Sequence, residues 1–249
     1  MPQLPAALPG QLLQWYDENR RILPWREKPS PYCTWISEVM LQQTRVEAGI
    51  AYFERFTAAL PDIPALAAVE EQQLLKLWEG LGYYSRARNL QKAAQAIVNE
   101  HGGVFPDTYE ALTALPGVGG YTAGAIASIA FGQAVPAVDG NVLRVVSRLT
   151  DCHDDVADPG VKRAVRDKLQ TVVPEREADI RIFNQATMEL GATVCVPNGT
   201  PKCRDCPVSH LCLGRMRGTA ESLPIKRAKK ERRSEGKTVF VLLRQGRVA

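Results

Sequence analysis

Residues 115–149 read L-P-G-V-G-G-Y-T-A-G-A-I-A-S-I-A-F-G-Q-A-V-P-A-V-D-G-N-V-L-R-V-V-S-R-L, and the rest of the chain is organised around this segment. Four residues near its start oppose a regular helix, namely Pro116, Gly117, Gly119 and Gly120. Residues 123–130 are small or apolar and favour a helix. We therefore expect a tight hairpin that opens a helix and aims unpaired backbone N–H groups at one point, which suits a phosphate oxygen. The alternative is an ordinary connection between helices.

Asp139 lies in the same stretch, in the sequence V-D-G-N directly before a second helical run at residues 142–149. If the hairpin holds a nucleic-acid backbone, this carboxylate is placed to act on the sugar. The alternative is that Asp139 only caps the next helix by accepting hydrogen bonds from its N–H groups. Local sequence leaves both interpretations open.

A second carboxylate, Glu38, lies in the apolar segment W-I-S-E-V-M-L-Q-Q-T at residues 35–44. Its neighbours predict a partly desolvated carboxyl group, whose raised pKa keeps a proton available near neutral pH, as a general acid requires. The alternative is that Glu38 faces water on an otherwise buried helix. Gln42 and Gln43 follow on the same predicted helix, and their amides suit base edges, although exposed glutamines are common.

The segment G-Y-Y-S-R-A-R-N at residues 82–89 combines two aromatic side chains with two arginines. Tyr83 is placed to wedge into a base stack, and Arg86 and Arg88 are placed to hold phosphates. The alternative is that the segment simply starts a helix running to residue 99, with its tyrosines packed in the interior.

Four of the six cysteines are close together in the spacing C-x7-C-x2-C-x5-C, as Cys195, Cys203, Cys206 and Cys212. This spacing is too tight for independent disulfides, and four thiolates suit one metal centre, either zinc or an iron–sulfur cluster. The alternative is four unligated thiols. Cys33 and Cys152 are isolated and are expected to be packing residues.

Charge is uneven along the 249 residues, whose net charge is +4. Residues 201–249 contain 13 Lys and Arg against 4 Asp and Glu, which indicates either a side that faces a polyanion or a solvated linker. No apolar run is long enough for a membrane span, and the N-terminus does not resemble a secretion signal. We expect a cytoplasmic protein that does not bind membranes.

Helical segments predominate up to residue 223, so we expect an all-α fold, with helices that include residues 46–60 and 65–80. Residues 224–236 are expected to be a basic linker, with six Lys and Arg between Lys226 and Arg233. The one convincing strand pattern is K-T-V-F-V-L-L-R-Q-G-R-V-A at residues 237–249. It predicts the start of a second, β-containing domain that the chain does not complete.

Six segments together resemble the helix-hairpin-helix superfamily of DNA glycosylases, and within it the adenine DNA glycosylases of the MutY type. They are L-P-W-R, W-I-S-E-V-M-L-Q-Q-T, G-L-G-Y-Y-S-R-A-R-N-L, L-P-G-V-G-G-Y-T-A-G, V-D-G-N-V-L-R-V and the cysteine loop, spread over residues 10–215. The resemblance implies removal of adenine mispaired with 8-oxoguanine or guanine. It also implies a 4Fe-4S cluster on the four cysteines and two helical lobes with double-stranded DNA in the cleft between them.

The resemblance implies a division of the chain as well. Residues 1–223 would be the catalytic domain, with a six-helix lobe at 29–135 and a cluster lobe from 1–28 and 136–223. Residues 237–249 would begin a Nudix-like domain that recognises 8-oxoguanine, so we expect adenine removal without a preference for 8-oxoguanine over guanine. A bacterial, monomeric protein that associates with the nucleoid is expected.

Residue by residue, the resemblance makes Glu38 the acid that protonates the flipped adenine and Asp139 the carboxylate that stabilises the sugar cation. These roles agree with the two-carboxylate chemistry of glycoside hydrolysis. The positions that insert into the duplex match Gln43 and Tyr83, and those that line the adenine pocket match Arg26, Tyr121 and Asn141. The other predicted DNA contacts are Gln42, Arg86, Arg88, Gly117, Gly119 and Gly120.

Tyr121 separates this chain from the endonuclease III type, which has a lysine nucleophile at that place and cuts the strand. We therefore predict a monofunctional glycosylase, with the endonuclease III type as one alternative. The other alternative is a non-catalytic DNA-binding module, which would not need Glu38 and Asp139 to face each other across a pocket. One departure from the family is the first cysteine gap, which has seven residues where the family usually has six.

Overall fold

The computed structural model describes residues 1–227, 236, 243–244 and 247–248, and almost all regular secondary structure in these residues is helical. The helices in chain order are α1 (Leu8–Asn19), α2 (Pro24–Glu27), α3 (Pro31–Met40), α4 (Val46–Ala59), α5 (Ile63–Ala68), α6 (Glu71–Leu77), α7 (Ser85–His101), α8 (Tyr109–Ala114), α9 (Gly120–Ile129), α10 (Gly140–Leu149), α11 (Pro159–Gln170), α12 (Glu177–Thr193) and α13 (Leu213–Met216). A 3₁₀ turn spans Ser209–Leu211.

Two separate hydrophobic cores divide these helices into two lobes. The first core is built from α2 to α9 around Trp35, Phe56 and Trp78. The second is built from α1, α10, α11 and α12 with the cysteine loop, around Tyr16 and Phe183. Helix α2 packs in the first core, although the predicted lobe bounds place residues 1–28 with the other lobe. The chain therefore crosses between the lobes twice, before α2 and after α9.

The predicted hairpin joins α8 to α9, and two of its glycines have different structural roles. Gly117 has a φ of +73°, in the left-handed region, and a Cβ at this position would lie 2.5 Å from the Asn89 side chain. Gly119 is the N-cap of α9 and offers no side chain to its first N–H groups. The expectation of a tight hairpin that opens a helix is confirmed, and the first turn of α9 keeps free backbone donors.

Two predicted helices differ in the structure. Helix α3 ends at Met40 and does not continue through Gln43, whose φ is +64°. The single helix expected over residues 65–80 is two helices, α5 and α6, with extended backbone at residues 69 and 70. Side chains of α7 hold this break, because the amide of Gln91 donates to the Val69 carbonyl and that of Gln95 donates to the Ala67 carbonyl.

A buried amide fixes the chain where it returns from the first lobe to the second. Asn184 of α12 donates to the Ser128 hydroxyl of α9 at 2.7 Å and to the Val135 carbonyl at 2.9 Å, and it accepts from the Ala137 N–H at 3.1 Å. The loop that leads into Asp139 is therefore tied to helices of both lobes.

Every helix in the described part of the chain is too short or too polar to cross a membrane.

Most of the predicted linker and of the predicted Nudix-like start at residues 237–249 lies outside the described residues. The four described residues of that start form two short strands, β1 (Leu243–Arg244) and β2 (Arg247–Val248). They pair antiparallel, with Leu243 opposite Val248, which agrees with the strand pattern in the sequence.

Candidate active site

A cleft of about 1220 Å³ lies between the lobes, and both predicted carboxylates line it. Glu38 comes from α3 and Tyr121 from α9 of the first lobe, while Asp139 and Asn141 come from the start of α10 in the second. Typical small-ligand pockets hold roughly 300–1,000 Å³, so this cleft has room for a base together with its sugar and backbone. The fold thus brings together four residues spread over about a hundred positions of sequence.

Glu38 lines the cleft with its carboxyl group held in a hydrogen bond. The Tyr121 hydroxyl donates to Glu38 Oε2. Burial raises the pKa of Glu38 to about 7, and the nearby charge of Asp139 also raises it, while the Tyr121 hydrogen bond and Arg26 act in the opposite direction. The carboxyl group is therefore partly desolvated, as predicted, and its raised pKa favours the protonated form that a general acid requires.

Asp139 is the N-cap of α10 and also lines the cleft, so its capping role does not remove the carboxylate from the cleft. Its Oδ1 accepts from the Val142 N–H at 2.7 Å, and its Oδ2 accepts from the Asn141 amide at 2.7 Å. Burial raises the pKa of Asp139, and these hydrogen bonds oppose that shift. The carboxylate is thus held in one orientation at the cleft wall.

A buried carboxylate, Glu189 of α12, holds Arg26 in the cleft. Arg26 Nη2 donates to Glu189 Oε2 at 2.9 Å, and Arg21 donates to the same carboxylate through Nε at 2.7 Å. Burial opposes ionisation of Glu189, but the hydrogen bonds from the two arginines outweigh it and lower its pKa to about 2. Glu189 is therefore ionised, and its carboxylate fixes the Arg26 guanidinium group at the cleft wall.

The four clustered cysteines line a second cavity, together with Arg148 of α10. Arg148 Nη1 donates to Cys195 Sγ at 3.3 Å, and the Arg215 N–H donates to Cys212 Sγ at 3.5 Å. Among the described residues, no three His, Cys, Asp or Glu side chains are grouped to hold a metal ion. The four cysteines line one small cavity, and N–H donors reach the sulfurs of Cys195 and Cys212.

Helix α10 connects this cavity with the cleft. Arg144 Nη2 donates to Asn141 Oδ1 at 2.8 Å, and Arg144 Nε donates to the Cys195 carbonyl at 2.7 Å. Asn141 in turn donates to Asp139. A continuous hydrogen-bonded chain therefore joins the cysteine loop to the cleft carboxylate.

The predicted DNA contacts fall into exposed and enclosed groups. Gln43 and Tyr83 are exposed, Tyr83 to 64%, as are the hairpin glycines Gly117, Gly119 and Gly120. Gln42 lines the cleft, and its amide donates to the Thr122 hydroxyl at 3.3 Å. Arg88 is exposed and pairs with Glu71 at 2.6 Å.

Arg86 differs from the expectation that it holds a phosphate. Its guanidinium group turns inward, and its two terminal nitrogens donate to backbone carbonyls of the protein. Arg86 lies next to the end of α3, where carbonyl groups have no partner within the helix. These carbonyls attract the guanidinium cation.

Comparison with known proteins agrees with this architecture. Residues 36–174 match the family model described as HhH-GPD superfamily base excision DNA repair protein. The chain belongs to this superfamily. The matched residues include Glu38, Tyr121 and Asp139.

Curated relatives in the superfamily share extensive sequence with the chain. Human adenine DNA glycosylase is 47% identical over 228 residues, which cover 88% of this chain and 41% of the human protein. Adenine DNA glycosylase of Buchnera aphidicola subsp. Acyrthosiphon pisum is 37% identical over 220 residues, which cover 88% of this chain and 62% of that protein. The match thus spans less than half of the human relative's length. The resemblance drawn from the six sequence segments is confirmed.

Solved structures of the superfamily share the fold. A thermostable thymine-DNA glycosylase superposes with a TM-score of 0.73 at 27% identity, covering 85% of this chain and 96% of that one. A non-covalent endonuclease III–DNA complex superposes with a TM-score of 0.69 at 26% identity, covering 85% and 94%. The predicted all-α, two-lobed architecture is therefore confirmed.

Two charged residues that hold the site, Glu189 and Arg144, were not predicted from the sequence. Glu189 lies in the segment R-I-F-N-Q-A-T-M-E-L-G-A, and a charged residue among apolar neighbours in a late helix was the available signal. Arg144 lies between apolar residues in V-L-R-V-V, which likewise signals a buried charge. Neither signal identifies the partner, because each partner lies elsewhere in the chain.

Proposed function

We propose that this chain is a base-excision-repair glycosylase that hydrolyses the N-glycosidic bond of adenine mispaired with 8-oxoguanine or guanine in double-stranded DNA. The proposal rests on the pair of carboxyl groups in one cleft, where burial raises the pKa of Glu38 to about 7. The curated relatives are adenine DNA glycosylases, which supports adenine as the base. The free N–H groups at the start of α9 are suited to a phosphate of the same strand.

In this mechanism, Glu38 gives its proton to a ring nitrogen of the flipped adenine. Adenine leaves poorly as an anion, so protonation lowers the barrier to cleavage of the bond to the sugar. The base must leave the helical stack first, because the acid acts inside the cleft. Tyr121 holds the Glu38 carboxyl group in position through its hydroxyl.

Asp139 stabilises the positive charge that develops on the sugar as the base departs. Its carboxylate is already oriented by Val142 and Asn141, so little reorganisation is needed when the charge forms. A water molecule then attacks the sugar cation and completes hydrolysis, which leaves an abasic site.

Arg26 is suited to contact the base, and Glu189 holds it in place. The edge of adenine presents an N7 acceptor. Both oxygens of the buried Glu189 carboxylate accept hydrogen bonds from Arg21 and Arg26, which fixes the Arg26 guanidinium group at the cleft wall. We propose that Arg26 donates a hydrogen bond to the flipped adenine.

Product analysis tests the proposed reaction. Incubation with a duplex that contains adenine opposite 8-oxoguanine should release free adenine, detected by chromatography, and the strand should break only after alkali. Position 121 is tyrosine and not a lysine nucleophile, which is why we expect no direct nicking. Lys162 also lines the cleft, so Lys162→Ala serves as the control for any residual nicking. Strand breaks before alkali that disappear in this variant would reveal a lysine-dependent lyase step and would contradict a monofunctional reaction.

We further propose that Cys195, Cys203, Cys206 and Cys212 hold a 4Fe-4S cluster. The four cysteines line one cavity, and N–H donors reach two of the sulfurs. When bound, the cluster would supply a rigid cross-link for the loop that carries Lys202 and Arg204.

Duplex DNA as partner is supported by the basic character of residues 201–249.

Iron and sulfide analysis tests the cluster. Protein purified without oxygen should contain iron and acid-labile sulfide in equal amounts, and Cys206→Ser should lose both because one thiolate ligand is removed. Cys33→Ser is the matched control, since Cys33 lies outside the cysteine cavity, and its iron content should not change. Zinc in place of iron in the unsubstituted protein would contradict the proposal.

The predicted domain bounds, the monomeric state and the location in the cytoplasm near the nucleoid stay predictions.

A further inference from the structure

Arg86 joins two segments of the first lobe that are distant in sequence. Its guanidinium group lies over the Trp78 ring, at 5.3 Å from the ring centre. Its Nη1 and Nη2 atoms lie 2.7–3.3 Å from five backbone carbonyl oxygens, those of Val39, Met40, Gln42, Leu81 and Gly82. The first three belong to the end of α3 and the turn after it, and the last two to the loop before α7.

Each of these segments leads directly into an exposed residue with a left-handed backbone. Gln43 follows the Gln42 carbonyl and has a φ of +64°, and Tyr83 follows the Gly82 carbonyl and has a φ of +45°. Among the described residues, one other non-glycine residue, Asp151, has a positive φ. Such conformations persist where surrounding contacts hold them, and Arg86 supplies such contacts at both places.

We propose that Arg86 is a positioning residue that fixes Gln43 and Tyr83 together as one two-residue wedge for the DNA duplex. The inference rests on the proposed glycosylase function. The Arg86 guanidinium group also lies 5.8 Å from the centre of the Tyr83 ring, so one side chain holds both backbones and supports the aromatic ring. To open the base stack at one step, Gln43 and Tyr83 must both enter the duplex at that step, so the distance between them must be fixed.

Neither lysine nor glutamine reproduces these contacts. Lysine keeps the charge but offers a point-like ammonium group without the planar fork, and glutamine keeps a planar donor but has one amide nitrogen. In Arg86→Lys and Arg86→Gln, the single-turnover rate of adenine release from duplex DNA should fall by at least about tenfold, as expected when a group that orients the substrate is misplaced.

A double-mutant cycle separates positioning from general support of the lobe. Each Arg86 variant is made in the unsubstituted protein and in the Gln43→Ser, Tyr83→Ser background, and all rates are measured with enzyme in excess. Because the wedge is already absent in that background, the Arg86 substitution should change the rate there by no more than about twofold. Thermal unfolding is recorded for every variant.

Arg55→Lys is the matched control. Arg55 also donates to a carbonyl in the last turn of a helix, that of Leu77, and lies over the Tyr52 ring at 4.8 Å. It supports no wedge residue, so its substitution should not change the rate of adenine release.

Equal losses of rate from the Arg86 substitutions in both backgrounds would overturn the inference. Failure of both Arg86 variants to fold would overturn it too, because Arg86 would then serve the stability of the lobe. No adenine release by the unsubstituted protein would overturn the proposed function and this inference with it, whereas release with equal losses would overturn this inference alone.

Discussion

The Glu38→Gln protein should lose adenine release from mispaired DNA by roughly 100- to 10,000-fold, the range expected for loss of a general acid. Glutamine has nearly the shape of the carboxyl group and accepts the Tyr121 hydrogen bond, but it has no proton to transfer to the base. Single-turnover rates with enzyme in excess measure the effect. Glu54→Gln is the control, since Glu54 is an exposed residue of α4 and its substitution should leave the rate unchanged.

The rate of adenine release should also depend on pH, because only the protonated form of Glu38 can donate a proton. Its pKa is raised to about 7 and the acid form is the active one, so adenine release should be fastest below this pH and decline above it. Asp139 must be ionised, and its raised pKa predicts a second decline on the acid side. A rate that rises steadily from pH 6 to pH 9 would contradict the role of Glu38.

The Asp139→Asn protein should lose roughly 100- to 1,000-fold in the rate of adenine release, the scale of losing one electrostatic stabiliser of a transition state. Asparagine is as good an N-cap as aspartate, so α10 should still form and the variant should fold. The negative charge that faces the sugar cation is removed, while the capping oxygen remains.

Asp158→Asn is a matched control for this substitution. Asp158 caps α11 by accepting from the Gly160 N–H at 2.6 Å, and it does not line the cleft. Its substitution should alter neither the rate nor, by more than a small shift, the melting temperature. If Asp139→Asn kept full activity, or if both variants lost activity equally, Asp139 would be a helix cap without a catalytic role.

The features that local sequence determines could be predicted. The hairpin follows from Gly117 and its neighbours, because a left-handed backbone and an uncapped helix start depend on residues next to each other. The desolvated state of Glu38 follows from the apolar residues around it, and the four-cysteine cavity follows from the spacing in the sequence.

Features that depend on distant partners could not be predicted. Helix α3 ends early in a turn whose carbonyls bind Arg86, which lies more than forty residues further along the chain. The acceptor next to Arg26 is Glu189, 163 positions away, and no local pattern connects them. The break between α5 and α6 likewise depends on side chains of α7. In each case a polar side chain forms hydrogen bonds with backbone carbonyls or with a charged group that is distant in the sequence.

Base release from three duplexes that differ only in the partner of one adenine distinguishes a mispair-specific glycosylase from a non-catalytic DNA-binding protein. The unsubstituted protein is incubated in excess with adenine opposite 8-oxoguanine, guanine or thymine, and abasic sites are revealed by alkali. We expect release from the two purine mispairs, none from the adenine:thymine pair, and none from any duplex with Glu38→Gln. Tight binding of all three duplexes without any base release would contradict the glycosylase function and would favour a non-catalytic DNA-binding protein.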